Sequence, residues 1–148
     1  MSVRVVCDAP ALVALLLDSG SDGRWSTRQL TGSELAAPTL LAFEVANIIR
    51  RQELAGLVST DQARQAHADL LDLPVEPWPY EVLATRAWEL RRNLSVYDAS
   101  YVALAELIDA TLVTIDRRIS RAPGLRCRVA TPPADGNGDD GHGADGGS

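Results

Sequence analysis

Apolar and polar residues along the chain form short blocks that predict strands and helices in alternation. β-branched or apolar runs predict strands at residues 3–7, 34–37, 75–78, 111–115 and 126–130. Apolar residues spaced three and four apart predict helices at residues 10–18, 38–55, 59–73, 80–92 and 95–109. Residues 19–33 are rich in Gly, Ser and Thr and predict a loop, with a short helix around Trp25 and Leu30 as the alternative. A polar turn is predicted at residues 116–120.

This alternation predicts one α/β domain, a three-layer α/β/α sandwich around a short parallel sheet. Pro77 favours a sheet edge for the strand at 75–78, because proline cannot donate a ladder hydrogen bond. The strand order stays open. The folded domain is expected to span residues 1–131, and residues 132–148 are expected to be a disordered tail rich in Gly and Asp, because they cannot bury enough apolar surface to offset their ordering entropy.

Four acidic residues interrupt stretches that otherwise have the composition of a core. Asp8 follows the first strand directly, and Asp116 follows the strand at 111–115. Glu44 and Asp98 lie close to the starts of their predicted helices. A buried carboxylate is costly unless it is hydrogen-bonded, paired or bound to metal. Taken singly, Asp98 could simply answer a helix dipole and Asp116 could begin a turn, but together the four are expected at one edge of the sheet.

Four segments of the chain resemble the motifs of PIN-domain ribonucleases, in the order and at the spacing of that family. They are VVCDAP (5–10), PTLLAFEVANII (38–49), VYDASYVALAE (96–106) and LVTIDRRI (112–119). The resemblance covers about residues 1–131, and within the superfamily it is greatest to the VapC toxins of toxin–antitoxin pairs. Two features depart from the family pattern: Pro10 stands where a serine is common, and the Gly/Asp-rich tail lies outside it.

The resemblance implies a metal-dependent endoribonuclease with a PIN-like fold that leaves 5′-phosphate and 3′-hydroxyl ends. Matched residue by residue, Asp8, Glu44, Asp98 and Asp116 are the metal-binding and catalytic acids, with supporting polar residues at Asn47 and Thr114. Oxygen ligands without a His/Cys cluster favour Mg²⁺ or Mn²⁺ over zinc. The resemblance also implies RNA as substrate, a homodimer and a cognate antitoxin protein as partner.

The net charge of −6 does not report on an RNA partner. Four of the 20 acids lie in the tail beyond residue 134, so the rest of the chain has 16 acids against 14 bases. All 14 bases are arginine, which excludes any mechanism that needs lysine. The arginines that flank the third and fourth acids could contact RNA phosphates or belong to a solvated surface; they are Arg91, Arg92, Arg117 and Arg118.

Other functions stay open at this level. A catalytically inactive PIN-like module that binds a partner would be expected to lack an acid, and all four are present. A processing nuclease that is not a toxin, or a nuclease that cuts DNA, fits the same carboxylates. A phosphoacceptor receiver domain is disfavoured because it needs a lysine. No apolar run is long enough to span a bilayer and no export signal is recognisable, so a cytoplasmic location is expected. Cys7 and Cys127 are expected to be free thiols rather than a disulfide.

Overall fold

A five-stranded parallel sheet forms the centre of the computed structural model, which describes residues 2–134. The strand order is β3-β2-β1-β4-β5. The strands are β1 (Arg4–Cys7), β2 (Glu34–Pro38), β3 (Val75–Trp78), β4 (Thr111–Val113) and β5 (Val129–Ala130). β3 lies at one edge, as Pro77 predicts.

Helices cover both faces of the sheet, which confirms the predicted three-layer sandwich. They are α1 (Ala9–Leu17), α2 (Ser21–Leu30), α3 (Leu41–Leu54), α4 (Thr60–Asp72), α5 (Tyr80–Glu89), α6 (Val96–Leu107) and α7 (Arg117–Arg121). The chain runs outward from β1 to β3 and then returns to β4 and β5. Right-handed crossovers therefore place α1 to α4 on one face and α5 to α7 on the other. Consistent with this, α1 packs against α2, α3 and α4, whereas α6 packs against α5 and the three central strands.

The central strands are apolar on both sides because each face of the sheet is covered. Val6, Cys7 and Leu112 have no exposed surface. Such strands have continuous apolar runs rather than an alternating pattern, as β1 does. The cysteines Cys7 and Cys127 are both free, and Cys127 is only partly buried. Within residues 2–134, no helix combines the length and the apolar character needed to cross a membrane.

The predicted loop at residues 19–33 is wrong over most of its length, because residues 21–30 form α2. The polar composition hid a helix that is anchored by a few buried residues, among them Trp25 and Leu30. Gly23 permits the close packing: a Cβ at this position would lie 1.7 Å from the carbonyl oxygen of Asp18. The shorter alternative, a helix around Trp25 and Leu30, therefore describes this segment.

The predicted polar turn at residues 116–120 is a short helix, α7, that begins directly after Asp116. Ile119, the one large apolar residue of the segment, is buried and holds the helix against the domain. The last strand is shorter than predicted, because the backbone N–H of Arg126 donates to the carboxylate of Glu106 (2.7 Å) instead of a strand. Of the predicted tail, Pro132 and Pro133 accept hydrogen bonds from Arg117, and residues 135–148 lie outside the described part of the chain.

Candidate metal centre

Two of the four acids lie where the direction of the strand order reverses. Asp8 follows β1 and Asp116 lies just beyond β4, and these two strands are neighbours in the sheet. From β1 the chain builds the sheet toward β3, and from β4 it builds toward β5. Helices on opposite faces thus diverge at this point and leave a crevice at the carboxyl ends of the strands, the usual ligand site of open α/β sheets.

Thr114 joins Asp8 to the backbone of Asp116. The Thr114 hydroxyl donates a hydrogen bond to Oδ2 of Asp8, and its oxygen accepts one from the N–H of Asp116 (3.0 Å). The other carboxylate oxygen of Asp8 accepts from the N–H of Ala11 (3.0 Å) and so caps α1. Asp8 and Thr114 are both buried, with 2% and 0% of their surface exposed. Burial and hydrogen bonds therefore hold the Asp8 carboxylate in one orientation.

Glu44 and Asp98 come to the same edge from the first turns of two helices. Helices that connect parallel strands run antiparallel to them, so α3 and α6 begin at the carboxyl edge. Ser95 caps α6 by accepting from the N–H of Asp98 (3.1 Å). The positive end of a helix dipole favours a carboxylate in the first turn. Both side chains are partly buried, which leaves each one open to a ligand from solvent.

Burial and the charges of neighbouring acids raise the pKa of three of the four carboxyl groups. Burial raises the pKa of Asp8 to about 6, with added contributions from Asp98 and Asp116. Burial also raises the pKa of Asp98, and the charge of Asp116 raises it further. For Glu44, burial raises the pKa, a hydrogen bond from Tyr101 opposes this, and the charge of Asp98 adds to it. The four acids therefore form one electrostatic unit that favours a positive partner.

Arg118 supplies part of that positive charge. Its guanidinium makes a two-pronged ion pair with Asp116, with a closest N–O distance of 2.6 Å. Hydrogen bonds from Arg118 lower the pKa of Asp116, whereas the pKa of each of the other three acids is raised. The arginine side chain itself is 84% exposed, so it is free to leave Asp116 for another anion at little cost. Asp8, Glu44 and Asp98 have no such cationic partner among the ion pairs of residues 2–134.

The donor set fits a hard divalent cation. Four carboxylates with one exposed arginine leave excess negative charge at the crevice, and Mg²⁺ or Mn²⁺ takes oxygen ligands of this kind. Within residues 2–134, no group of three or more Asp, Glu, His or Cys side chains is arranged closely enough to hold a metal ion without adjustment. Binding of a cation by all four acids would therefore require side-chain adjustment among the carboxylates.

The remaining residues that the sequence singled out lie in different settings. Asn47 is exposed on α3, one turn after Glu44. Arg117 donates to the carbonyl oxygens of Pro132 and Pro133, which tethers the C-terminal segment beside α7. Arg91 stacks on the ring of Trp88 with 4.8 Å to its centroid, and Arg92 is exposed. Of the four arginines, Arg118 is the one whose contact with the acids is direct.

Tyr101 is a member of the site that the sequence did not single out. Its hydroxyl donates to Oε1 of Glu44 (2.7 Å), although its ring is buried in the core with only 2% exposed surface. In the sequence it is one apolar residue among several in the α6 segment DASYVALA. The available clue was its position three residues after Asp98, on the same helix face.

Comparisons with known proteins identify the family. The PIN domain family matches residues 5–125. "VapC ribonuclease Mb0985" of Mycobacterium bovis is 38% identical over 130 residues, which cover 87% of this chain and 98% of that protein. The crystal structure of PAE2754 from Pyrobaculum aerophilum superposes with a TM-score of 0.63 at 26% identity and covers 86% of this chain and 83% of that one.

A third similarity is to a toxin–antitoxin complex from Klebsiella pneumoniae, with a TM-score of 0.61 and 21% identity over 87% of this chain and 98% of that one. At that identity it supports the fold alone. The family match and the extent of the M. bovis similarity lead to one conclusion. This chain belongs to the PIN-domain family and, within it, to the VapC ribonucleases.

Proposed function

We propose that this protein is the endoribonuclease toxin of a toxin–antitoxin pair and that it hydrolyses RNA with Mg²⁺ or Mn²⁺ held by Asp8, Glu44, Asp98 and Asp116. Membership of the VapC ribonucleases supports RNA as the substrate class. The metal and the assignment of its ligands rest on the physical chemistry of the crevice. RNA as substrate also supports the cytoplasm as the place of action.

One observation carries the metal assignment: the buried carboxylate of Asp8. Burial is the main cause that raises its pKa to about 6. Hydrogen bonds from Thr114 and Ala11 oppose this rise, and the charges of Asp98 and Asp116 add to it. At neutral pH the carboxylate is therefore ionised in a place that disfavours its charge. A protein retains such a group at a cost in stability, and a bound cation is the partner that removes this cost.

The residues around the acids prepare the site for a phosphodiester. Thr114 holds Asp8, and the N–H of Asp116 holds Thr114, so the two acids that end neighbouring strands keep a fixed relation. A bound divalent cation supplies Lewis-acid chemistry: it acidifies water and stabilises negative charge on the phosphoryl oxygens. Arg118 is exposed beside Asp116 and is available to bind a phosphate of the RNA. No side chain has to act as the nucleophile.

The cognate partner is proposed to be an antitoxin protein that covers the crevice, and the active form is proposed to be a homodimer. Membership of the VapC ribonucleases supports the antitoxin. Expression of this protein alone is expected to arrest bacterial growth. Co-expression of the product of a short adjacent open reading frame is expected to restore growth, and arrest that persists with every neighbouring gene would contradict the pairing.

The catalytic assignment is tested with Asp98→Asn, which keeps the size and the helix position of the side chain. Wild-type protein is expected to cleave RNA in Mg²⁺ and to stop in EDTA, whereas the folded variant is expected to lose at least about 100-fold in rate. Asp72→Asn, an exposed acid at the end of α4, is the matched control and keeps its rate. Wild-type protein that binds RNA but never cleaves it, in any metal, would favour an inactive binding module instead.

A further inference from the structure

A buried tyrosine reaches the candidate metal centre from the core of the domain. Tyr101 lies in α6, where its ring is among the largest fully enclosed side chains of the structure. Its hydroxyl donates to Oε1 of Glu44 at 2.7 Å, across 57 positions of sequence. The contact joins α6 to the first turn of α3, two helices that cover opposite faces of the sheet.

This contact constrains a side chain that is otherwise poorly held. Glutamate has three rotatable bonds, and ordering such a side chain costs conformational entropy. Asp8 is held by two hydrogen bonds and by burial, and Asp116 by Arg118. For Glu44, the hydroxyl of Tyr101 is the side-chain partner within residues 2–134. Packing of the tyrosine ring in the core restrains its hydroxyl, which gives the Glu44 carboxylate a well-defined point of attachment.

The single hydrogen bond from Tyr101 leaves Glu44 able to bind a ligand. A tyrosine hydroxyl has one hydrogen to donate, and here it goes to Oε1. Oε2 and the remaining lone pair of Oε1 stay available. The donor is neutral, so the carboxylate keeps its full negative charge toward a cation. An arginine in the same place would compete with the cation, as Arg118 does at Asp116.

We propose that Tyr101 is a positioning residue of the metal centre: it orients the Glu44 carboxylate for a divalent cation before the cation binds. The inference rests on the proposed function, since it assumes that Glu44 is a metal ligand. The alternative is that the hydroxyl only satisfies a polar atom of a core tyrosine, for which any acceptor would serve.

Direct Mn²⁺ binding to four proteins separates these roles, because the double-mutant cycle reports whether Tyr101 acts through Glu44. The proteins are the wild type, Tyr101→Phe, Glu44→Ala and the double variant, and binding is measured by electron paramagnetic resonance of free Mn²⁺. Tyr101→Phe keeps the ring, and its folded state is checked by circular dichroism and melting in EDTA. Tyr80→Phe removes a hydroxyl from an exposed tyrosine at the start of α5 and is the matched control.

We expect Tyr101→Phe to weaken Mn²⁺ binding about five- to tenfold in the wild-type background and less than about twofold in the Glu44→Ala background. The control variant keeps wild-type affinity. Binding by Tyr101→Phe that equals the wild type would overturn the inference and leave the proposed function intact. Equal losses in both backgrounds would also overturn it, because the hydroxyl would then act on the fold rather than on Glu44. A wild-type protein that binds no Mn²⁺ would refute the proposed metal centre itself, and the inference with it.

Discussion

The hydroxyl of Thr114 donates a hydrogen bond to the carboxylate of Asp8, although 106 positions separate the two residues. Each residue lies at the end of its own strand, and the pairing of β1 with β4 brings them together. The Thr114 oxygen also accepts a hydrogen bond from the backbone N–H of Asp116, so one hydroxyl links two of the four acidic residues.

Replacement of Thr114 by valine keeps the shape of the side chain and removes that hydroxyl. The N–H of Asp116 and one oxygen of Asp8 then lose a buried partner, so we expect the free energy of unfolding to fall by about 1–3 kcal/mol. RNA cleavage is expected to fall at least about tenfold because both acids lose their common support. Thr114→Ser retains the hydroxyl and is expected to recover most of the rate; a serine variant as slow as the valine variant would show that the hydroxyl is not what matters.

The raised pKa of Asp8 predicts that Asp8→Asn stabilises the metal-free protein. In the unfolded chain this carboxyl titrates near 3.8, and in the folded protein near 6. The folded state therefore holds the proton more tightly, and ionisation costs stability as the pH rises between these values. A shift of this size corresponds to roughly 2–3 kcal/mol at neutral pH.

Chemical denaturation in EDTA between pH 4 and pH 8 measures this effect. The advantage of Asp8→Asn over the wild type is expected to grow from pH 4 to about pH 6.5 and to stay constant above it. Asp72→Asn, which changes an exposed acid on α4, is expected to follow the wild-type curve. An asparagine variant that is no more stable than the wild type at pH 7 would mean that ionisation of Asp8 does not lower the stability of the folded protein.

Gly23 is expected to be irreplaceable in the packing of α2. A Cβ here would meet the carbonyl oxygen of Asp18 at 1.7 Å and that of Ala14 at 2.9 Å, and both are backbone atoms that cannot move aside. We expect Gly23→Ala to cost more than about 3 kcal/mol of stability. Gly32, at a positive φ of 79° with open space around it, offers the comparison: Gly32→Ala carries only the backbone strain, about 1–2 kcal/mol. Equal losses in urea denaturation would contradict the close contact.

Arg118 is expected to contact one phosphate of the RNA and to contribute to RNA affinity through that contact. Arg118→Ala should weaken binding of an uncleaved RNA and reduce the slope of log affinity against log salt by about 0.7 to 1. Arg64, exposed on α4 and paired with Asp61, provides the control Arg64→Ala. Filter binding in EDTA at several salt concentrations measures both. An unchanged salt slope for Arg118→Ala would place the phosphate path elsewhere, with Arg91, Arg92 and Arg117 as the remaining predictions.

The sequence predicted the layers of the fold because its periodic segments are long and apolar. The helices α3, α4 and α6 and the strand β1 follow such patterns. For residues 19–33 the sequence predicted a loop and gave the helix only as the alternative, because the stability of α2 depends on tertiary contacts of Trp25 and on the absence of a side chain at Gly23. Local propensity contains no information of that kind.

The same division holds for the site. The acids stood out because carboxylates are unusual in apolar surroundings, and their common edge followed from strand and helix direction. The strand order, and with it the position of Asp8 and Asp116 at the reversal point, required the structure. Tyr101 was not recognised, because a tyrosine in an apolar helix is ordinarily core, and its partner lies on another helix.

Anomalous diffraction from crystals soaked in Mn²⁺ tests the metal centre itself, because it locates the metal without reference to activity. We expect an anomalous peak in the crevice at the carboxyl ends of β1 and β4, at about 2.0–2.4 Å from oxygens of Asp8 and at least one of the other three acids. The same soak of Asp8→Asn crystals is expected to lose most of the peak. An active protein whose Mn²⁺ lies elsewhere, or whose crevice stays without a peak at saturating Mn²⁺, would refute the metal centre at these acids.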